Sequence, residues 1–219
     1  MAYPTVDKPY GLKPINLIGG QVFAGATRQR RIASGASSIG YGDPLKFASD
    51  GTVVVTTEES TAPVAGFAGV FLGCNFVSSV TGQPTYSQSW ISGTAVKAGT
   101  YIVAYVVDDP DTLFKAVGVT ASLVVSTTGG FEYTSIGLNV ALVANTLNTT
   151  TNDSQQGLLV GSAATTRSLP MRIIDVVEDT AFVSSGTVYY PEVIVKFNAP
   201  YVTSGVVEGG HAYNNPLGI

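Results

Sequence analysis

The sequence is poor in charge, in the residues of covalent and metal chemistry, and in unbroken apolar runs. Only 12% of its 219 residues are Asp, Glu, Lys or Arg, about half the usual share of a soluble domain. There is one cysteine, one histidine and one tryptophan. A single cysteine, Cys74, excludes an intrachain disulfide, and its neighbours Phe71, Leu72 and Phe76 mark a buried thiol. Cys74 in an apolar stretch and His211 in a Gly-rich tail make a poor nucleophile–base pair. With so few His and Cys, a metal site would need carboxylates alone. Asp108, Asp109 and Asp111 cluster, but the alternating ligands and closing Glu of a calcium loop are missing, so a structural turn or an acidic interface cap is expected. Gly66 and Gly69 are not followed by the Lys-Ser or helix start of a phosphate cradle. Glu58, Asp108, Glu178 and Glu192 are the carboxylates available for glycoside hydrolysis, yet no stretch resembles a sugar-stacking cleft. The expectation is a protein that is not an enzyme, with no cofactor and no small-molecule substrate.

Hydrophobic residues make up 45% of the chain, yet no apolar run reaches the roughly 18 residues that would span a bilayer. Residues 64–80 come nearest and are broken by Gly66, Gly69, Gly73 and Asn75. No membrane span is expected. The net charge of −4 argues against a nucleic-acid partner. The one basic cluster, Arg28-Gln29-Arg30-Arg31, reads as a loop that pairs with acids on a partner or on the chain itself, with contact to packaged nucleic acid as the lesser alternative. Met1-Ala2-Tyr3-Pro4 lacks the charged and apolar regions of a secretory signal. Synthesis in a cytoplasm is therefore expected, with the acceptor triplets at Asn148 and Asn152 idle.

What remains is β-forming. The organising stretch is residues 90–119. Residues 100–107 are a run of β-branched and aromatic residues, read as a strand buried on much of both faces. Asp108-Asp109-Pro110-Asp111 ends it in a tight corner, and Leu113-Phe114-Lys115-Ala116-Val117 begins a second extended segment. Ser49-Asp50-Gly51-Thr52 signals a hairpin between Leu45-Lys46-Phe47 and residues 53–57. Residues 64–77 alternate small and bulky side chains, which suits close sheet packing. Further strands are read at 122–126, at 170–177, and as a last pair, 187–190 and 192–197, parted by Pro191. Residues 137–144 read as a strand or short helix, and 145–156 as an exposed loop. Asp153 with Gln156 resembles a capping box, placing a short helix over 154–163.

The resulting organisation is an extended N-terminal arm over 1–38, a β domain over 39–200 and an irregular tail over 201–219. The fold class is mainly β: an antiparallel sandwich or barrel-like domain with at most one or two short helices. In the arm, Pro4, Pro9 and Pro14 exclude helix, and residues 15–24 suit a strand or hairpin around Gly19-Gly20. An extended arm becomes ordered by lying on something, either a partner or its own domain.

The order of motifs resembles the capsid decoration (cement) proteins of tailed bacteriophages, especially those of phages infecting cyanobacteria and other aquatic bacteria. The resemblance is carried by the arm Val6-Asp7-Lys8-Pro9-Tyr10-Gly11-Leu12-Lys13-Pro14 and by Gly42-Asp43-Pro44-Leu45 with Asp50-Gly51-Thr52. It continues through Val64-Ala65-Gly66-Phe67-Ala68-Gly69-Val70-Phe71-Leu72-Gly73-Cys74, Pro84-Thr85-Tyr86-Ser87, Trp90 and Val107-Asp108-Asp109-Pro110. It ends in Gly218-Ile219. It implies a virion protein on the outer surface of an icosahedral head, a homotrimer bridging major capsid protein subunits. The contact candidates are then Val6, Asp7, Lys8, Pro9, Tyr10, Leu12 and Lys13 in the arm, Arg28, Arg30 and Arg31 in the basic cluster, and Asp108, Asp109 and Phe114 at the corner. Two further readings stay open: another virion part such as a tail, adaptor or fibre component, and a module that binds a surface glycan or receptor through its tyrosines and polar loops.

Overall fold

A computed structural model of the chain describes residues 6–56, 66–198, 201–203 and 206–208. The polar loop containing Glu58, the start of the 64–77 run, His211 and the Gly218-Ile219 finish lie outside the described residues. In chain order the first strands are β1 (Lys13–Leu17), β2 (Arg28–Arg31), β3 (Pro44–Phe47), β4 (Val53–Val55), β5 (Phe67–Val77) and β6 (Pro84–Ser87). The middle of the chain gives β7 (Val103–Val107), β8 (Thr112–Val119), β9 (Asn139–Val140), β10 (Leu142–Val143) and β11 (Gly157–Leu159). The rest are β12 (Met171–Val176), β13 (Phe182–Ser184), β14 (Thr187–Tyr189), β15 (Glu192–Phe197), β16 (Tyr201–Thr203) and β17 (Val206–Glu208). Among the described residues helix is confined to single 3-10 turns at Tyr133–Ser135 and Glu178–Thr180. The fold is mainly β, with sheets and a nearly closed, barrel-like arrangement.

One sheet runs β2-β7-β5-β3-β4, with β6 also on β5; the other runs β10-β11-β8-β15-β12-β9. Strand β1 pairs antiparallel with residues 112–115 of β8, and β11 pairs parallel with Gly118 and Val119 further along. The hairpins β13–β14 and β16–β17 stand as separate two-stranded ribbons.

Two buried clusters meet along β5. Ala68, Phe71 and Cys74 face one, with Ile39, Leu45, Trp90 and Val106; Phe67 and Val70 face the other, with Phe114, Met171, Ile173 and Val195. A strand with a core on each side needs small residues where neighbours close in. Gly69 shows why: its φ is +128°, and a Cβ there would meet the Val107 carbonyl oxygen at 2.2 Å. Phe67 stacks on Phe197 at 4.6 Å and Phe114 sets its edge on Phe197 at 5.5 Å. Each ring fully buried contributes about 1.5–3 kcal/mol of transfer free energy. The 108–111 corner carries the chain from β7 in the first sheet to β8 in the second, as Thr112 N–H donates to the Asp109 carbonyl at 3.1 Å.

The hairpin at Asp50-Gly51 is present, with Leu45 opposite Val55. Several expectations are corrected. Residues 154–163 form no helix: Gly157–Leu159 is β11, docked along β8. Residues 122–126 make a turn with one bridge, Val125 to Val119, because Leu123 takes a φ of +63°. Residues 137–144, read as strand or short helix, take the strand alternative as β9 and β10. Of residues 100–107, only Val103–Val107 is strand, and Tyr101 before it is 60% exposed. Strands β14 and β15 do not pair with each other; β14 pairs with β13, and β15 lies between β12 and β8. Arg28–Arg31 is an edge strand rather than a loop. Residues 6–38 pack on their own domain, the second of the two alternatives for the arm. Leu12 is buried in the core of the second sheet, and Ile32 and Ala36 in that of the first.

Candidate functional site

The N-terminal segment is pinned between the turn at Gly42 and the residues before β11. Gly11 N–H donates to the Gln156 carbonyl at 3.1 Å and Leu12 N–H to the Gly42 carbonyl at 2.9 Å. A side chain at Gly11 would run into Ser154 and the Gly42 carbonyl, so only glycine lets the segment pass there. Tyr10 donates its hydroxyl to Glu192, and Lys115 Nζ lies 3.1 Å from the same carboxylate oxygen. Burial, then the hydrogen bond and charge of Glu192, drive the Tyr10 hydroxyl far above its ordinary range, so it stays a donor at every physiological pH. Lys13 Nζ sits 4.1 Å over the Tyr10 ring. Val6 packs beside Tyr10 on a small cluster of Val117, Val119, Val125 and Val143.

This divides the arm candidates. Pro9 and Leu12 are buried, Val6 and Tyr10 are half-buried, and Asp7, Lys8 and Lys13 face solvent. Beyond β1 the chain turns back, Leu17 N–H donating to the Gln21 carbonyl at 2.8 Å. The turn leaves Ile18 49% and Val22 76% exposed.

The corner and the basic cluster come together. Arg28 Nε lies 2.7 Å and Arg30 3.6 Å from Asp108 Oδ2. Of the two readings for the arginines, pairing within the chain is the one seen for these two. Arg31 faces elsewhere, its guanidinium 3.7 Å over the Tyr101 ring. Asp109 accepts from the Asp111 N–H at 2.8 Å, and Asp111 pairs with Lys196 at 3.2 Å. The three corner carboxylates thus turn to three different partners, and the described residues hold no group of His, Cys, Asp or Glu suited to a metal ion. Phe114, a contact candidate from the sequence, is wholly buried and belongs to the core.

Of the remaining carboxylate and thiol candidates, Glu178 is exposed in its 3-10 turn, whereas Glu192 and Cys74 are committed. Glu192 is buried under Tyr10 and Lys115. Cys74 is buried, its Sγ 3.5 Å from the Ser89 carbonyl, and burial pushes its thiol up to about 11. A thiol in that state is a poor nucleophile at neutral pH.

Sequence reasoning missed the β13–β14 ribbon. Val183 and Val188 stand directly opposite each other on it, 63% and 44% exposed, while Phe182 and Tyr189 pair their rings at 5.7 Å. Alternation Phe-Val-Ser and Thr-Val-Tyr around Ser185-Gly186 carried the hairpin signal, but the sequence reading paired 187–190 with 192–197 instead. No protein-family model matches the chain, and no curated protein or solved structure is significantly similar to it. No helix of the described residues is long and apolar enough to cross a membrane.

Proposed function

We propose that this chain is a virion structural protein of the capsid-decoration type. It binds the outer surface of an icosahedral head as a homotrimer and bridges neighbouring major capsid protein subunits. The observation that carries the reading is the β13–β14 ribbon. A two-stranded hairpin is marginal by itself in water, yet this one presents a directly opposed valine pair to solvent on a chain with little charge to keep it apart from other protein. Exposed apolar surface of this kind favours burial against a partner. Ile18 and Val22 offer a second such point. Many symmetric copies make individually weak contacts collectively strong.

The test is co-sedimentation of the full chain with undecorated tailed-phage heads, compared with Val183→Lys/Val188→Lys. The parent chain is expected to pellet with heads, and the double variant to stay in the supernatant while keeping the parent's melting temperature. A parent that never pellets, or a variant that pellets equally, overturns the reading. Removing residues 1–14 is a poor test of the arm, because it also removes Leu12 from the core.

A further inference from the structure

Strands β6, β5 and β7 carry a shallow, open groove of about 570 Å³, lined by Leu72, Gly73 and Cys74 of β5 with Tyr86 of β6 and Tyr105 of β7. Register puts its side chains together. Asn75 lies opposite Tyr86 on β6, and Gly73 lies opposite Tyr105 on β7. Asn75 Nδ2 donates to the Tyr105 hydroxyl at 2.6 Å, so the two share a face. Gly73 has no side chain to fill the gap between the flanking tyrosines; its φ of +151° and the Ser87 carbonyl, 3.0 Å from a hypothetical Cβ, keep it glycine. Tyr41 and Gln88 also line it. Gln88 Nε2 donates to Asp153 at 3.2 Å, and residues 41 and 153 form a bridge, so the polar rim is tied to the aromatic floor.

We infer that this groove binds a neutral glycan. The floor is tyrosine on both sides of a glycine trough, and Tyr86 is 73% exposed with its ring available. The electron-rich face of a tyrosine ring attracts the partly positive C–H groups on the flat face of a pyranose. Around that floor stand the groups that read hydroxyls. Asn75 and Gln88 are amides with donors and acceptors, Asp153 is an acceptor, and the Tyr105 hydroxyl accepts from Asn75 and keeps its own proton to donate. No lysine or arginine lines the groove, which removes the attraction that phosphates, sulfated sugars or nucleic acid require. Beneath the groove β5 and β7 are each paired on both sides, so an added β-strand would have only the outer edge of β6 to pair with. This inference rests on the groove alone and stands or falls separately from head binding.

The experiment is a printed array of neutral and anionic glycans probed with the full chain. Calorimetric titration with the strongest neutral oligosaccharide hit follows, using the parent, Tyr86→Ala, Gln88→Ala and, as a control, Tyr133→Ala. Tyr86, Gln88 and Tyr133 are all exposed, so these variants are expected to melt with the parent. The inference predicts neutral-glycan binding weakened about tenfold or more by Tyr86→Ala, several-fold by Gln88→Ala and not at all by Tyr133→Ala. A blank array, signal confined to anionic glycans, or equal affinity in all four proteins overturns it.

Discussion

Asp43 and Asp108 are both buried, 1% and 8% exposed, and both are positioned by β5, yet their charges are handled in opposite ways. Phe71 N–H of β5 donates to the Asp43 carbonyl, and Gly69 of β5 closes against Val107, the residue before Asp108. Asp108 meets the guanidinium groups of Arg28 and Arg30. Asp43 meets neutral donors: Gly40 N–H at 2.7 Å, with Ser154 and Gln156 nearby. Burial raises the Asp43 carboxyl to about 6 against the opposing pull of those donors. The difference teaches that a buried carboxylate can be met either by formal charges or by neutral hydrogen-bond donors. One site therefore responds to salt, through the exposed arginine, and the other to acid.

The largest effect comes from breaking the strand that holds both. Gly69→Ala places a methyl against the Val107 carbonyl at a backbone angle that L-residues resist, and a loss of about 3 kcal/mol or more is expected in urea unfolding. Next is Asp43→Asn. A folded value near 6 lies above the unfolded 3.8, so Asp43's contribution to stability is complete below the unfolded value and is lost as pH rises through about 6. Between pH 4 and 7.5 the parent should lose about 2.5 kcal/mol relative to the variant. Parallel unfolding curves across that range would remove the contrast with Asp108. Tyr10→Phe deletes the donor to Glu192 but leaves Lys115 in place, and about 1.5 kcal/mol should go. Smallest is Asp108→Asn. Arg28's side chain is 60% exposed, so the pair is discounted for solvent to about 1 kcal/mol, and raising salt should bring parent and variant closer together.

Much of the frame was legible because its signals are local. Asp50-Gly51 supplies the turn for β3–β4, the glycines of β5 announce close packing, and the Asp-Pro corner separates β7 from β8. What could not be read was long-range. The Asp153…Gln156 spacing suits a helix cap, but Ser154 Oγ accepts from Gln156 N–H at 3.1 Å and Ser154 N–H donates to the Tyr41 carbonyl, so those polar residues serve a junction with residues distant in sequence. Parallel pairing of β11 on β8 leaves no mark in nearby residues. The arm's prolines ruled out helix but could not say what the extended chain would lie on; Leu12 decided that by fitting the core. The contact candidates suffered likewise, since Phe114 and Leu12 follow the same apolar pattern as surface anchors. The tyrosine groove needed strand register before its residues met.

The most direct test of the decoration reading is electron cryomicroscopy of undecorated tailed-phage heads mixed with the full chain. The reading predicts trimeric density over the local threefold positions, with the β13–β14 ribbon turned toward the shell. Bare threefold positions, with the chain on tails or free in solution, would contradict it.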